Sequence, residues 1–247
     1  MTQTLGVLGG LGPHATVDFL RKLLQEAPAH RDQEHVPYIV YSNPATPDRS
    51  AAIVGAGDCP WLALRAGVMT LENAGVTAIA IPCNSAHYWH AQLAETTSVP
   101  IFDLVSIACR AASPRANGRV GILGTEGLVA SDLYGRALES QGAHAMYPTE
   151  ELQREISQGI ALAKSGIPTA AGALFAAATE DLFRRGADTI ILACTEIAMA
   201  LEAVSFGLLG QCIDTNRELA RTCVTWWHRA PTQSRAGPRP SLCSSLP

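Results

Sequence analysis

The amino-acid sequence predicts an α/β protein made of two related halves, each built around a parallel sheet. Its clearest strand is the run 76–81 (VTAIAI), which is apolar and lies between Gly75 and Pro82. Strands of a parallel sheet are covered on both faces, so a short apolar run of this kind is typical of them. Helix-length segments separate this run from similar ones, as parallel connections require.

A sequence repeat supports the same fold class. The segment 74–83 (AGVTAIAIPC) recurs as 185–194 (RGADTIILAC), and both copies have glycine second and cysteine last. Cys83 and Cys194 are therefore equivalent positions, 111 residues apart. A period this long excludes a solenoid and is consistent with a duplicated α/β unit.

Two further matches define the extent of the repeat. Residues 5–9 (LGVLG) resemble 120–124 (VGILG), and Asp103 corresponds to Asp214 at the same separation as the two cysteines. If the halves face each other across a pseudo-two-fold axis, the two cysteines meet in one cleft.

The first half is predicted to alternate strands and helices. Pro13 suits the first turn of a helix after the glycine turn 9–12, and Asn84 and Ser85 can cap a helix that follows Pro82. The predicted order is strand 4–9, helix 15–26, strand 38–42, helix 58–73, strand 76–81, helix 86–95, strand 98–104 and a helix to 112.

The second half begins after the break 113–118 (SPRANG) and repeats this alternation. Thr195 can open the helix that follows Cys194. The predicted order is strand 119–124, helix 131–141, strand 143–147, helices 150–165 and 168–185, the strand before Cys194, a helix from Thr195, strand 210–214 and a last helix to 228.

Composition excludes several classes of protein. The chain is 47% hydrophobic and 16% charged with a net charge of −4, which does not favour nucleic acid or an anionic membrane surface as a partner. No apolar stretch reaches the roughly 20 residues needed to cross a bilayer. Seven cysteines without zinc-type spacing, and no signal-peptide pattern, predict a reducing cytoplasm.

The repeated cysteines indicate acid–base chemistry. Each follows a strand and precedes a helix, where the helix dipole favours a thiolate. Inverting a tetrahedral carbon by deprotonation needs a base on one face and an acid on the other, and two equivalent thiols supply both. A single cysteine here would more simply be a buried, inert side chain.

Other motifs allow competing interpretations. Gly10-x-Gly12-x-x-Ala15 matches a dinucleotide fingerprint, but the next strand lacks the acidic residue that binds ribose. We expect instead that the amides of this loop help to hold a carboxylate. His87 and His90 raise the alternatives of a metal site with Cys194 or a Cys–His hydrolase, although a hydrolase would leave the second cysteine unused.

Two cations are candidates for carboxylate recognition. Arg49 lies in the proline-stiffened loop 43–50, and arginine binds carboxylates in a bidentate manner. Lys164 lies near a helix C-terminus, where dipole compensation is an alternative role.

Four segments carry a resemblance to a known family. The sequences IPCNSAH (81–87), LACTEI (192–197), GVLGGLGP (6–13) and PATPDRS (44–50) resemble the cofactor-independent aspartate/glutamate racemases, and within them the aspartate racemases. The resemblance extends to about His228. It implies two pseudo-symmetric Rossmann-like domains with the active site in the cleft between them, no pyridoxal phosphate or metal, and a homodimer.

The resemblance also implies roles for individual residues. Cys83 and Cys194 are the catalytic acid/bases, and Arg49 with Lys164 receives the side-chain carboxylate of the substrate. The remaining substrate-binding positions are Ser50, Asn84, Ser85, Ala86, Thr125, Thr195 and Glu196. The implied domains are 1–98 with about 210–228, and 99–209, while the Pro- and Ser-rich segment 229–247 is predicted to be a disordered tail.

The expected function is therefore racemisation of aspartate, a small-molecule substrate. A racemase of glutamate or of broader acidic specificity stays open, as does a related cysteine-dependent isomerase or decarboxylase of a dicarboxylic acid. A non-catalytic amino-acid-binding protein is a further alternative, and the two intact cysteines count against it.

Overall fold

The computed structural model describes residues 3–113 and 117–229. The strands are β1 (Leu5–Gly9), β2 (Tyr38–Ser42), β3 (Ala78–Ala80), β4 (Arg119–Gly124), β5 (His144–Met146), β6 (Thr189–Ala193) and β7 (Cys212–Asp214). The α-helices are α1 (Pro13–Glu26), α2 (Arg49–Ile53), α3 (Trp61–Asn73), α4 (His90–Ala94), α5 (Leu104–Ala112), α6 (Glu126–Ala130), α7 (Leu133–Glu139), α8 (Glu150–Lys164), α9 (Pro168–Arg184), α10 (Thr195–Ala203) and α11 (Thr215–His228). The predicted α/β fold with parallel sheets is confirmed.

The two sheets have matching orders. The first runs β2-β1-β3 and the second β5-β4-β6-β7, with every pairing parallel. An isolated parallel bridge between Ile79 and Ile101 adds a fourth position beside β3, equivalent to that of β7 beside β6. The repeat therefore describes two sheets of the same topology.

The repeated glycine has a backbone reason. Gly75 and Gly186 have φ angles of 78° and 95°, in the left-handed region, at the turns that lead into β3 and β6. A side chain is disfavoured in that conformation, so glycine recurs at both equivalent turns.

Several predicted elements differ in detail. The helix expected over 86–95 begins as a 3-10 turn at Ser85–Trp89 before α4. The helix expected over 131–141 is α7, and the short helix α6 before it was not predicted. Asp132 separates α6 from α7, because its φ of 51° does not continue a regular helix. The loop expected over 43–50 ends in α2, which Asp48 caps by accepting a hydrogen bond from the Ala51 amide.

Strand pairing crosses two of the predicted domain boundaries. Ile101 pairs with the first sheet, although 99–209 was assigned to the second domain, and β7 pairs with the second sheet, although it was assigned to the first. The α11 helix then packs against α1 and α5, and its Leu219 and Trp227 join the core around Phe19. The division into two domains stays a prediction, and most of the predicted tail lies outside the described residues.

A buried ionic cluster connects α1 to the second half. Lys22 is 0% exposed, and its Nζ lies 2.7 Å from Asp18 and 2.6 Å from Asp214, which precedes α11. Glu202 on α10 lies 3.8 Å from the same nitrogen. Burial opposes ionisation of Asp18, but Lys22 and the hydrogen bond from Asn216 outweigh it and hold the pKa of Asp18 below its ordinary value.

None of the helices within 3–113 and 117–229 combines the length and apolar character that a transmembrane segment needs.

Candidate active site

A small, partly open cavity lies where the ends of several strands meet. Cys83 follows β3, Thr125 follows β4 and Cys194 follows β6, and all three line it. Its volume is about 20 Å³, close to the space for a single water molecule. Ligands of open α/β proteins bind at this edge of the sheets.

The cavity brings together ten of the eleven predicted site residues. The exception is Ala86, which is fully buried but does not line the space. The predicted lining residues are Arg49, Ser50, Cys83, Asn84, Ser85, Thr125, Lys164, Cys194, Thr195 and Glu196.

Leu11, Asp48 and Ala193 also line the cavity and were not predicted to do so. Asp48 is next to Arg49 in the PDRS sequence, and this proximity to a predicted site residue could have indicated that it lines the cavity. The glycine loop 9–12 contributes differently from our expectation, because the Gly10 amide donates to the Thr16 hydroxyl at 2.9 Å. What the loop supplies to the site is the Leu11 carbonyl, which accepts a hydrogen bond from Arg49.

Cys194 is held as a neutral thiol. It is 7% exposed, and its Sγ donates to Glu196 Oε2 at 3.1 Å. Burial and the Glu196 carboxylate raise the pKa of Cys194 well above its ordinary value, while Lys164 acts in the opposite direction. Burial and the adjacent carboxylate therefore outweigh the contribution that the helix dipole was expected to make in favour of a Cys194 thiolate.

Glu196 is fixed in place from three sides. Its Oε2 accepts the Thr195 hydroxyl at 2.8 Å as well as the Cys194 thiol. Its Oε1 lies so close to Gly12 that a Cβ there would approach it to 2.5 Å. Glycine at position 12 thus leaves room for the Glu196 carboxylate beside Cys194.

Cys83 lies on the opposite half of the molecule. It is 8% exposed, and its amide donates to the Ile81 carbonyl at 2.8 Å after Pro82 interrupts the strand. The Nδ1 of His87 bonds to the Cys83 carbonyl oxygen at 2.8 Å. His87 therefore orients the backbone at Cys83, and this contact does not support the Cys–His hydrolase interpretation.

Arg49 is the first residue of α2 and is 8% exposed. Its Nη1 donates to the Thr46 and Pro47 carbonyls at 3.1 and 2.9 Å, and its Nη2 donates to Leu11. Its Nε is buried without a hydrogen-bond partner among the described residues. A buried unpaired donor is costly, so this nitrogen is available for an anionic ligand.

Lys164 and Asp48 face each other across the two halves. Lys164 Nζ lies 3.5 Å from Asp48 Oδ2, and both side chains are partly exposed. Burial opposes the charge of Lys164, but Cys194, Asp48 and Glu196 outweigh it and raise the pKa of Lys164. Burial likewise opposes ionisation of Asp48, yet the Ala51 amide and Lys164 lower its pKa. The pair is therefore ionised.

Hydrogen bonds join the halves around the cavity. Ser85 Oγ lies 3.0 Å from Thr125 Oγ1, and the Gly127 amide donates to Ser50 Oγ at 2.8 Å. Asn84 accepts the Tyr134 hydroxyl at 2.6 Å and donates to Thr215 at 3.0 Å. Polar side chains from both sheets are thus positioned at the same space.

Comparison with known proteins identifies the family. The model that describes the Asp/Glu/hydantoin racemases matches residues 8–223. The chain belongs to this family. It is accordingly a racemase, an enzyme of the isomerase class that acts on small amino-acid substrates.

Individual relatives agree with this assignment. The racemase is 27% identical to the broad specificity amino-acid racemase RacX of Bacillus subtilis over 226 residues, which span 90% of this chain and 96% of that protein. The aspartate racemase of Picrophilus torridus superposes with a TM-score of 0.81 at 25% identity, covering 94% of this chain and 98% of the other. A glutamate racemase of Francisella tularensis in complex with D-glutamate shares the fold, with a TM-score of 0.70 at 14% identity over 92% and 81% of the two chains.

The metal interpretation gains no support from the racemase's side chains. Across residues 3–113 and 117–229, no group of three or more His, Cys, Asp or Glu is arranged to hold a metal ion. His90 Nε2 bonds to the Ile101 carbonyl oxygen at 3.2 Å, and His87 and His90 stack with ring centroids 5.6 Å apart.

Replacing Glu196 with glutamine is expected to make Cys194 more reactive. The carboxylate disfavours the thiolate, so its removal lowers the pKa of Cys194 and raises the thiolate fraction at a fixed pH. Alkylation of Cys194 by iodoacetamide, followed by peptide mass spectrometry, should be several-fold faster in Glu196→Gln.

The matched control for this experiment is Glu139→Gln. Glu139 is an exposed glutamate at the end of α7 and does not line the cavity. An alkylation rate in Glu196→Gln equal to that of the control variant would contradict the role assigned to the carboxylate.

Proposed function

We propose that the protein interconverts L- and D-aspartate by transferring protons at Cα between two cysteines, without pyridoxal phosphate or metal. The observation that carries the proposal is that Cys83 and Cys194, equivalent by the repeat, open on one cavity that also contains Arg49. The aspartate racemase of Picrophilus torridus, which superposes over 94% of this chain, supports aspartate as the substrate.

In one direction, a Cys83 thiolate removes the Cα proton and becomes a thiol. The Cys194 thiol then donates its proton to the opposite face of the carbanion and becomes a thiolate. The hydrogen bond from Cys194 to Glu196 supports this assignment of the resting acid. In the reverse direction the two cysteines exchange roles, and the Lys164 charge stabilises the Cys194 thiolate.

The other lining residues position the substrate. We assign the α-carboxylate to Asn84, Ser85 and Thr125, because these donors from both halves surround the cavity. Negative charge that develops on this carboxylate as the carbanion forms is stabilised by fixed donors. Arg49 Nε receives the side-chain carboxylate.

Isotope exchange tests this mechanism directly. Protein prepared free of metal and pyridoxal phosphate is incubated with L-aspartate in deuterium oxide, and Cα deuteration and chirality are followed together. Deuterium in accumulating D-aspartate supports two-base racemisation. Exchange without inversion would show one competent thiol, and decarboxylation or another isomerisation would give a different product by NMR.

A broader specificity is the second candidate. It is favoured by the relationship to RacX, described as a broad specificity amino-acid racemase, which spans nearly the whole of both chains. Glutamate is a further candidate substrate, because a glutamate racemase of Beutenbergia cavernae is 32% identical over 148 residues, 56% of this chain. Parallel assays with L-glutamate distinguish these cases. We also propose a cytoplasmic homodimer, which sedimentation and cell fractionation would test.

Replacing Arg49 with alanine is expected to lower kcat/KM for aspartate about tenfold to a hundredfold, mainly through KM. A charge-assisted hydrogen bond contributes about 1.5–3 kcal/mol, which corresponds to that range. Steady-state kinetics with both enantiomers measure it.

Arg49→Lys serves as the charge-preserving comparison and should be intermediate, because lysine lacks the planar set of donors. Since Arg49 also bonds to three backbone carbonyls, thermal unfolding is recorded alongside. An unchanged KM for aspartate in the alanine variant would remove Arg49 from the binding site.

A further inference from the structure

A buried chain of hydrogen bonds lies behind the active-site cavity and holds Asn84. The Tyr134 hydroxyl donates to Asn84 Oδ1 at 2.6 Å, and Asn84 Nδ2 donates to Thr215 Oγ1 at 3.0 Å. The Thr215 hydroxyl donates in turn to the Leu192 carbonyl at 3.2 Å. Tyr134, Asn84 and Thr215 are all buried, but of these three Asn84 alone lines the cavity. These bonds therefore act on the site through Asn84.

The direction of the bonds is fixed at both ends of the chain. A backbone carbonyl can only accept, so the Thr215 hydroxyl donates its proton to Leu192 and is left as an acceptor for Asn84. At the other end, burial raises the pKa of Tyr134 well above its ordinary value, so this hydroxyl keeps its proton and donates. A carboxamide between an acceptor and a donor has one satisfied orientation, with Nδ2 toward Thr215 and Oδ1 toward Tyr134.

This orientation suits Asn84 to an anionic ligand. One of the two Nδ2 protons is bonded to Thr215, and Nδ2 has no other acceptor within residues 3–113 and 117–229. The second proton is thus available to a ligand in the cavity, while Oδ1 is occupied by Tyr134. In the reversed orientation, the lone pairs of Oδ1 would take the place of this donor and repel a carboxylate.

We propose that Tyr134 is a positioning residue, which holds the Asn84 carboxamide so that an N–H and not a carbonyl oxygen meets the α-carboxylate of the substrate. This role rests on the proposed function, in which Asn84 binds that carboxylate. Negative charge on the carboxylate increases as the Cα proton leaves, so a fixed donor stabilises the carbanion more than the bound amino acid. Loss of the Tyr134 hydroxyl should therefore lower kcat as well as raise KM.

The variant Tyr134→Phe tests this role. It removes only the hydroxyl and keeps the ring in the buried cluster with Leu128 and Leu138. Because the buried Oδ1 loses its donor and the carboxamide can rotate, we expect kcat/KM to fall about tenfold. The matched control is Tyr147→Phe, since the Tyr147 hydroxyl also donates to a side-chain oxygen at 2.6 Å, that of Asp132, and neither residue lines the cavity.

Thr215 provides a second variant on the opposite side of the carboxamide. Thr215→Val removes the acceptor of Nδ2 and should lower kcat/KM several-fold, whereas Thr215→Ser keeps the hydroxyl and should retain most of the activity. The N-terminus of α11 stays capped in both, because Asp214 supplies the cap. Thr179→Val is the control, since Thr179 is fully buried and its hydroxyl also donates to a backbone carbonyl, that of Phe175.

A double-mutant cycle separates positioning from general stability. If Tyr134 acts through Asn84, Tyr134→Phe should have no further effect on kcat/KM in an Asn84→Ala background. A purely structural role would lower the Tm of Tyr134→Phe and would change kcat/KM equally in both backgrounds. Thermal unfolding of every variant is recorded, and Thr215→Val replaces Tyr134→Phe in the cycle if the latter does not fold.

The wild-type protein itself selects the substrate for these kinetics. A mixture of the common L-amino acids, with aspartate and glutamate among them, is supplied in deuterium oxide, and the one deuterated fastest at Cα is used. A fall in kcat/KM that is absent from the control and from the Asn84→Ala background supports the positioning role. Wild-type kcat/KM in Tyr134→Phe, or an equal fall in both backgrounds, overturns it and leaves the proposed function standing. Deuteration of none of the amino acids overturns the proposed function and this role together.

Discussion

Alanine at position 83 or 194 is expected to lower kcat for racemisation about 10³-fold, within the range contributed by a positioned acid or base. In the proposed mechanism each thiol acts on one face of Cα, so neither can take over the role of the other. Cys83 and Cys194 are 8% and 7% exposed and line the same cavity, which places both next to a bound substrate. Circular dichroism measures whether each variant folds.

Exchange experiments separate the two roles. A variant that retains one thiol should still wash out the Cα proton of one enantiomer while failing to invert it, because only the remaining face is served. Cys59→Ala is the control, since Cys59 is exposed and does not line the cavity. Full racemase activity in either Cys83→Ala or Cys194→Ala would refute the two-base mechanism.

Alanine at position 22 is expected to lower the free energy of unfolding by about 3–5 kcal/mol. Lys22 is fully buried, and its removal leaves the carboxylates of Asp18 and Asp214 with only the more exposed Arg21 and Arg217 as cationic partners. Restoring water to these carboxylates would require opening the contacts that connect α1 with α10 and α11. Urea unfolding at neutral pH measures the loss.

Arg31→Ala is the control for a surface ion pair. Arg31 pairs with Glu34 while 73% of its side chain is exposed, and such pairs contribute about 0–1 kcal/mol. An effect of Lys22→Ala no larger than that of Arg31→Ala would contradict the structural role of the cluster.

The same cluster makes stability sensitive to acid. Because the pKa of Asp18 is lowered in the folded protein, its contribution is present above its unfolded pKa of about 4 and is lost as pH falls through the lower, folded value. Wild-type protein should therefore lose stability below about pH 4 more steeply than Lys22→Ala, which lacks the charge that contributes most to lowering the pKa of Asp18.

The sequence by itself determined the repeated architecture and most of the candidate site. Apolar runs, glycine turns and the equivalence of Cys83 and Cys194 are local patterns, and parallel strands bring their carboxyl ends to one edge. The convergence of the residues that follow those strands can therefore be predicted without knowing how the side chains pack. The resemblance added Ser50 and assigned substrate-binding roles to Arg49 and Lys164, which the residues had already made candidates. All three lie outside the repeated segment and line the cavity.

Only the tertiary structure decided the properties that depend on distant partners. Asp48 pairs with Lys164 across 116 residues of sequence, so no local pattern assigned it to the cavity. The Cys194–Glu196 contact is local, but the direction of the Cys194 pKa shift depends on how deeply the packed second half buries the thiol. In the sequence, Lys22 is an ordinary charged residue of an amphipathic helix. Its role in a buried ionic cluster depends on Asp214, which lies near the other end of the chain. Burial and long-range electrostatic interactions exist only in the folded protein. The sequence pattern therefore predicted where the site lies but not which of its side chains are charged.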